Sequence, residues 1–306
     1  MFEKKRIPNG FIELLQTTVT NLENYQKTDS NEEIWSNFCW CSLLGHTSKD
    51  AEVNYAFDIL YNEGLFEKDI ITEPDWEELV SETISDGISF AEEPNANEKI
   101  TALKKIDSSE LAVTLKDAID IFERLDINKD RFDNITSKEE MEMLLEIVYI
   151  PESYNITNNN KIPNIGYTKA ILWFHSCGIG LDLAPDNNHS IRFLNECKLT
   201  SGDTGRLIEN LNFPIIISGM EATKNHIKNK ATKTYFVAQI SRSVFYYEST
   251  KSLISKKKHK EMYSPFHLLK FLDLNDISIN QMRDCLNDIE RVTSLQEALN
   301  DYISKK

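Results

Sequence analysis

Helix-start signals recur along this chain at intervals that leave little room for strands. Ser30 followed by Glu33, and Thr136 followed by Glu139, have the spacing of capping boxes. In that motif the N-cap hydroxyl and the third-residue carboxylate each satisfy a backbone N–H that the helix cannot. Thr72-Glu73-Pro74-Asp75 sets a proline just inside a helix start, ahead of Trp76-Glu77-Glu78-Leu79. Apolar residues follow at helical spacing: Ile34, Trp35, Phe38, Leu43 and Leu44 after the first start, and Val53, Phe57 and Leu60 up to Gly64. Phe11, Ile12, Leu14, Leu15, Val19 and Leu22 form an earlier stripe. Further helices are expected over 98–106, 109–125, 136–149, 188–197 and 203–211, and from Ser264, Ser278 and Ser294. Phe213-Pro214-Ile215-Ile216-Ile217 reads as a buried turn or a short strand. The expected class is all-α.

The chain has 306 residues, 41% of them hydrophobic, enough for a proper core. It contains no apolar run of membrane-spanning length, and Met1-Phe2-Glu3-Lys4-Lys5-Arg6 is not followed by an apolar signal core. A cytoplasmic, non-secreted protein without a membrane partner is expected. Five scattered cysteines (Cys39, Cys41, Cys177, Cys197, Cys285) lack C-x-x-C spacing, which argues for reduced thiols and against a four-cysteine metal or iron–sulfur site. The six histidines form no ligand pair, so no metal is expected. The net charge is −15, yet between Lys224 and Lys260 ten Lys/Arg face the single acid Glu248, a local balance of +9. Such unevenness steers a polyanion to one face. A solvated loop at Lys256-Lys257-Lys258 is the plain alternative.

Three local patterns lead nowhere. Asp126-Ile127-Asn128-Lys129-Asp130 opens like a calcium loop, but Arg131 replaces the sharp-turn glycine and Ser137 the closing glutamate, leaving a polar helix–helix loop. Gly178-Ile179-Gly180 lacks the preceding strand and third glycine of a dinucleotide fingerprint. Asp182 and Asp186 are separated by what reads as loop, a weak basis for a carboxylate pair.

Lys161-Ile162-Pro163-Asn164-Ile165-Gly166-Tyr167-Thr168-Lys169-Ala170 is of a different kind. An apolar residue, a proline and a short hairpin ending in glycine open onto a helix N-terminus, a device for gripping phosphate. Ala184-Pro185-Asp186-Asn187-Asn188-His189-Ser190-Ile191-Arg192 follows one helix and one turn later. Helix, hairpin, helix and then Pro185-Asp186 resembles the helix-hairpin-helix DNA glycosylases of the endonuclease III superfamily. Their hairpin reads L-P-G-V-G and is followed by a loop with a catalytic aspartate. Cys41-Ser42-Leu43-Leu44-Gly45-His46-Thr47-Ser48-Lys49-Asp50 to Val53-Asn54 is similar to that family's early L-L-S-x-Q-T/A-x-D…V-N segment.

The resemblance implies two helical subdomains flanking a DNA-binding cleft. Within one unit over 1–306, a subdomain over about 30–150 would stand beside 151–306 packed with 1–29. It implies double-stranded DNA with a flipped base as partner, the base being damaged or modified, modified viral bases included, and a nucleoid-associated location. Asn164, Ile165 and Gly166 would hold phosphate through backbone N–H groups, with Lys169 adding charge. His46 stands where the family carries a duplex-probing glutamine, or is a turn histidine capping a helix. Thr168 occupies the position of the Schiff-base lysine, which implies a monofunctional hydrolase needing no cofactor. Counting from the hairpin selects Asp186 as the catalytic carboxylate; counting back from His189 and Arg192 selects Asn187. Trp35, Trp40, Trp76, Trp173 and Phe245-Tyr246-Tyr247 are candidates for a base pocket or, more ordinarily, for core. A DNA-binding module without chemistry and a helical interaction protein without a DNA role are the alternatives.

Overall fold

A computed structural model describes residues 7–8, 11–12, 15–16, 27–44, 50–89, 103–148, 161–185, 187–197, 199, 213–228 and 235–255. Eleven helices and no strand are found among these residues. The chain divides into two compact units, Tyr25–Gly180 and Met1–Asn24 with Leu181–Lys306.

The Tyr25–Gly180 unit carries α1 (Asn31–Leu43), α2 (Asp50–Asn62), α3 (Lys68–Ile71), α4 (Trp76–Ser89), α5 (Ser108–Arg124), α6 (Lys129–Asn134), α7 (Ser137–Ile147) and α8 (Tyr167–Ser176). Ser30 caps α1 by accepting the Glu33 N–H, while the Glu33 carboxylate accepts from Asp29, one residue before the cap. Thr136 and Glu139 form the full reciprocal box at α7. Asp107 and Asn128 cap α5 and α6 through their side chains alone, accepting the Glu110 and Arg131 N–H groups. The core is built on Trp173 of α8, which is fully buried. Its ring stacks on Phe122 at 5.2 Å and meets Phe38 edge-on at 5.3 Å. Its indole N–H donates to Ile34 O at 3.1 Å, so burying the heteroatom leaves no polar group unmet. Trp76 and Trp35 repeat the arrangement, donating to Leu65 O and Phe66 O.

The second unit contains α9 (Asn188–Glu196), α10 (Phe213–Lys228) and α11 (Val237–Ser255). Phe11 and Leu15 from the N-terminal stripe are buried in its core with Phe193, Leu194, Met220, Val244 and Tyr247. At the contact of α9 with α10 a Cβ on Gly219 would come within 2.7 Å of Leu194, so the glycine lets these helices approach closely.

One expectation is corrected. Phe213–Ile217 is neither turn nor strand but the first turn of α10. Pro214 is at home there, because the first helical N–H groups have no partner to lose. The boundary between the compact units falls after Gly180, so the hairpin and α8 belong with the helices before them. The reason is Trp173, which fills the core made by α1 and α5. The helices expected over 203–211 and beyond Ser264, and most of that over 98–106, lie outside the described residues.

The decoys resolve into local structure. Asp126, at φ 51°, accepts from Asn128 Nδ2 through Oδ1, while Asn128 Oδ1 accepts the Arg131 N–H. Gly178 and Gly180, at φ 71° and 62°, end α8: Gly178 donates to His175 O and Ile179 to Phe174 O. That is helix termination by left-handed glycine. Asp182 is ion-paired with Lys224 at 2.7 Å. No described helix is long and apolar enough to cross a membrane, and no described group of three or more His, Cys, Asp or Glu is placed to hold a metal.

Candidate functional site

The hairpin joins the end of α7 to the start of α8. Ile162 N–H donates to Ile147 O at 2.9 Å, fastening the hairpin to the last turn of α7. Ile162 and Ile165 are buried at 0% and 1% exposure and act as the feet of the turn. Between them Asn164 adopts φ 61°, the left-handed conformation that asparagine tolerates better than most residues. Its Nδ2 donates to Thr114 Oγ1 on α5 at 3.1 Å, so the turn is pinned from two sides. Gly166 is the N-cap of α8 at φ −83°, and a Cβ built on it would meet nothing within 4 Å. No described neighbour therefore requires a glycine here, and a helix N-terminus is where the macrodipole favours an anion.

The three amides expected at a phosphate are not equivalent. Ile165 N–H donates to Ile162 O at 3.3 Å and is spent inside the turn. Of the three, Asn164 and Gly166 are the two whose N–H groups have no backbone acceptor among the described residues. Thr168 is half-buried on the first turn of α8. Lys169 points inward: its Nζ donates to Ser42 O at the C-terminal end of α1, at 3.1 Å. Burial pushes its pKa below the ordinary lysine value, against smaller opposing pulls from Glu110 and Cys41. Its ammonium thus complements the negative end of the α1 dipole and does not add charge at the hairpin. The bond also brings the two motif blocks together, since Ser42 lies in the Cys41–Asn54 segment. His46, four residues further, lies outside the described residues.

Asp186 also lies outside the described residues. Its rival, Asn187, is the N-cap of α9, where its Oδ1 accepts the His189 and Ser190 N–H groups at 3.0 and 2.9 Å. Those two bonds occupy both lone pairs of the amide oxygen. His189 is half-buried, its ring edge-on to Phe245 with centroids 5.0 Å apart, and its Nδ1 has no hydrogen-bond partner among the described residues. Burial, with Arg192 adding to it, holds its pKa below the usual histidine value, so it is neutral near pH 7. Arg192 faces the fully buried Glu248 at 4.0 Å.

Of the basic stretch, the side chains of Lys224, Lys228 and Arg242 are described, and Lys228 is exposed. Lys224 is paired with Asp182, Arg242 lies over the Phe245 ring at 5.9 Å, and Tyr235 and Tyr247 are core residues. Phe236, 45% exposed, faces solvent, and 229–234 and 256–260 lie outside the described residues. Trp76 and Trp173 are core, and Trp40 donates to Asn54 Oδ1 at 2.7 Å. Sequence reasoning gave Thr114, Ser42 and Glu110 no role of their own, because each meets the hairpin or its helix only through tertiary structure.

No family model, no curated protein and no solved structure matches this chain.

Proposed function

We propose that this chain is a helix-hairpin-helix DNA glycosylase that hydrolyses the N-glycosidic bond of a damaged or modified base and leaves an abasic site. The observation that carries the reading is the hairpin: a left-handed Asn164 and an open Gly166 at the N-terminus of α8, on two buried isoleucines. The amides of Asn164 and Gly166 would take a backbone phosphate, which positions the duplex without reading its sequence. Base extrusion, costing roughly a few kcal/mol and least for a damaged or mispaired base, would bring the glycosidic bond within reach.

Cleavage builds positive charge on the deoxyribose, and the carboxylate of Asp186 would stabilise it and orient the attacking water. The capping bonds of Asn187 leave its oxygen no lone pair for that work, which favours Asp186 for the role. Thr168 at the Schiff-base position, with Lys169 turned to Ser42 O, favours hydrolysis without strand cleavage.

Incubating the purified chain with lesion-bearing and modified duplexes, then cleaving with alkali, tests the proposal. Asp186→Asn is expected to lower the rate about 10²-fold or more, the usual worth of a positioned carboxylate, and full activity in that variant removes the mechanism. A covalent adduct trapped by borohydride would replace hydrolysis with lyase chemistry. Salt-sensitive DNA affinity without abasic product assigns binding alone. No affinity at low salt leaves a helical protein–protein interaction role.

A further inference from the structure

A groove of about 590 Å3 opens in the Tyr25–Gly180 unit between the first turns of α1 and the Gly64–Lys68 turn. Trp35 and Phe66, 7% and 3% exposed, form its floor. Tyr61, 53% exposed, forms a wall, and its ring stacks on Phe57 at 5.2 Å, which stacks in turn on Phe66 at 5.3 Å. The Trp35 N–H is engaged by Phe66 O at 2.7 Å, so what the indole offers the groove is its face. Over that face, 5.1 Å from the ring centroid, lies the ammonium of Lys68. Glu32 and Glu67 line the same groove. Bonds from its own backbone amide and from Ser30, with a smaller pull from Lys68, hold the Glu32 carboxyl below its usual range, so it is ionised.

The groove therefore already binds a cation, and the cation is its own. An aromatic face attracts positive charge through its quadrupole. Two carboxylates against one ammonium leave the lining net negative, and more so once Lys68 moves away. Lys68 is an exposed residue on a flexible stem, so little holds it there. A planar guanidinium suits such a place better than an ammonium, since it stacks on rings and meets carboxylates through a fork of donors. The total charge of −15 adds attraction for a basic partner over an acidic one.

We propose that this groove docks an arginine side chain from a basic peptide segment of a partner protein, with Lys68 as its intramolecular placeholder. The guanidinium takes the Trp35 face beside Tyr61, Glu32 and Glu67 pair with it, and Lys68 is released to solvent. The site lies at the N-terminal end of α1, roughly 10 Å along the helix from Ser42. It does not depend on the DNA reading of the hairpin.

The test titrates the full chain with the blocked peptide Gly-Arg-Ser-Arg-Gly and with its lysine and glutamate counterparts, by calorimetry or chemical-shift mapping. The arginine peptide is expected to bind, the lysine peptide several-fold more weakly, and the glutamate peptide not at all. Tyr61→Ala, and separately Glu32→Gln with Glu67→Gln, should each weaken binding about tenfold, the loss of one stacked or charge-paired contact. Lys68→Ala should tighten it several-fold, while Lys104→Ala, which makes the same charge change at an exposed position outside the groove, should leave it nearly unchanged. All five side chains are exposed, so the variants fold, and circular dichroism checks it. Four outcomes overturn the proposal: no binding of the arginine peptide at millimolar concentration, affinity indifferent to the groove variants, weaker binding by Lys68→Ala, or preference for the glutamate peptide.

Discussion

Asn164 combines two constraints in one residue. Its backbone sits at φ 61°, and its amide nitrogen donates to Thr114 Oγ1, whose own hydroxyl donates to Glu110 O at 2.9 Å. Alanine there would meet the left-handed penalty and lose the bond to a buried threonine, for a predicted loss of about 1–3 kcal/mol. Asn164→Gly should lose less, since glycine relieves the backbone while forfeiting only the bond. Chemical denaturation of the two variants checks the order. The left-handed turn was legible in the residue type, because asparagine is what a hairpin uses when glycine is absent. Its anchor was not legible: Thr114 lies 50 residues earlier, and nothing local in α5 marks that threonine as a hairpin partner. Lys169 illustrates the same limit. Helical periodicity says that it points away from the Thr168 direction, but not that a carbonyl 127 residues earlier receives it.

Among the elements, helix starts were the most legible feature, since a cap is a local bargain between residues three apart. Thr136 and Glu139 show the complete form: the hydroxyl accepts the Glu139 N–H, and the carboxylate accepts the Thr136 N–H at 2.8 Å. Both side chains are exposed, so removing either acts through the cap alone. Thr136→Ala is expected to cost about 1 kcal/mol. Glu139→Ala should cost less, and the double variant less than the two together, because each bond orders the other. Thermal unfolding of the four proteins completes that cycle. Phe213–Ile217 failed for a different reason: five apolar residues in a row carry no period, so a buried helix start and a strand look alike. The signal that could have decided between them is Pro214, since a proline in the first turn marks a helix start.

At the scale of the whole molecule, the two cores differ in what acid does to them. His189 belongs to the unit that contains α9 and α11, and its pKa lies below 6.5 in the folded state. Between that lowered value and 6.5 the unfolded chain binds more protons than the folded one, so this unit loses stability as pH falls through that window. Glu32 and Glu139, in the Tyr25–Gly180 unit, have carboxyls held below 4.5. Their contribution is intact above 4.5 and is lost only as pH drops through the lowered values. Hydrogen exchange corrected for intrinsic rates, compared at about pH 7 and about pH 5, should show weaker protection in α9 and α11 while α1 and α7 hold. His189→Leu should abolish that difference. The place of the boundary between the compact units was not legible in the sequence, because it depends on Trp173 reaching Ile34, 139 residues away.

One backbone bond in the Tyr25–Gly180 unit has a genealogical consequence. Thr28 N–H donates to Cys177 O at 3.3 Å, so the segment's first and last turns adjoin. A stretch whose ends meet can be gained, lost or transplanted as a single cassette, without rethreading the chain on either side of it.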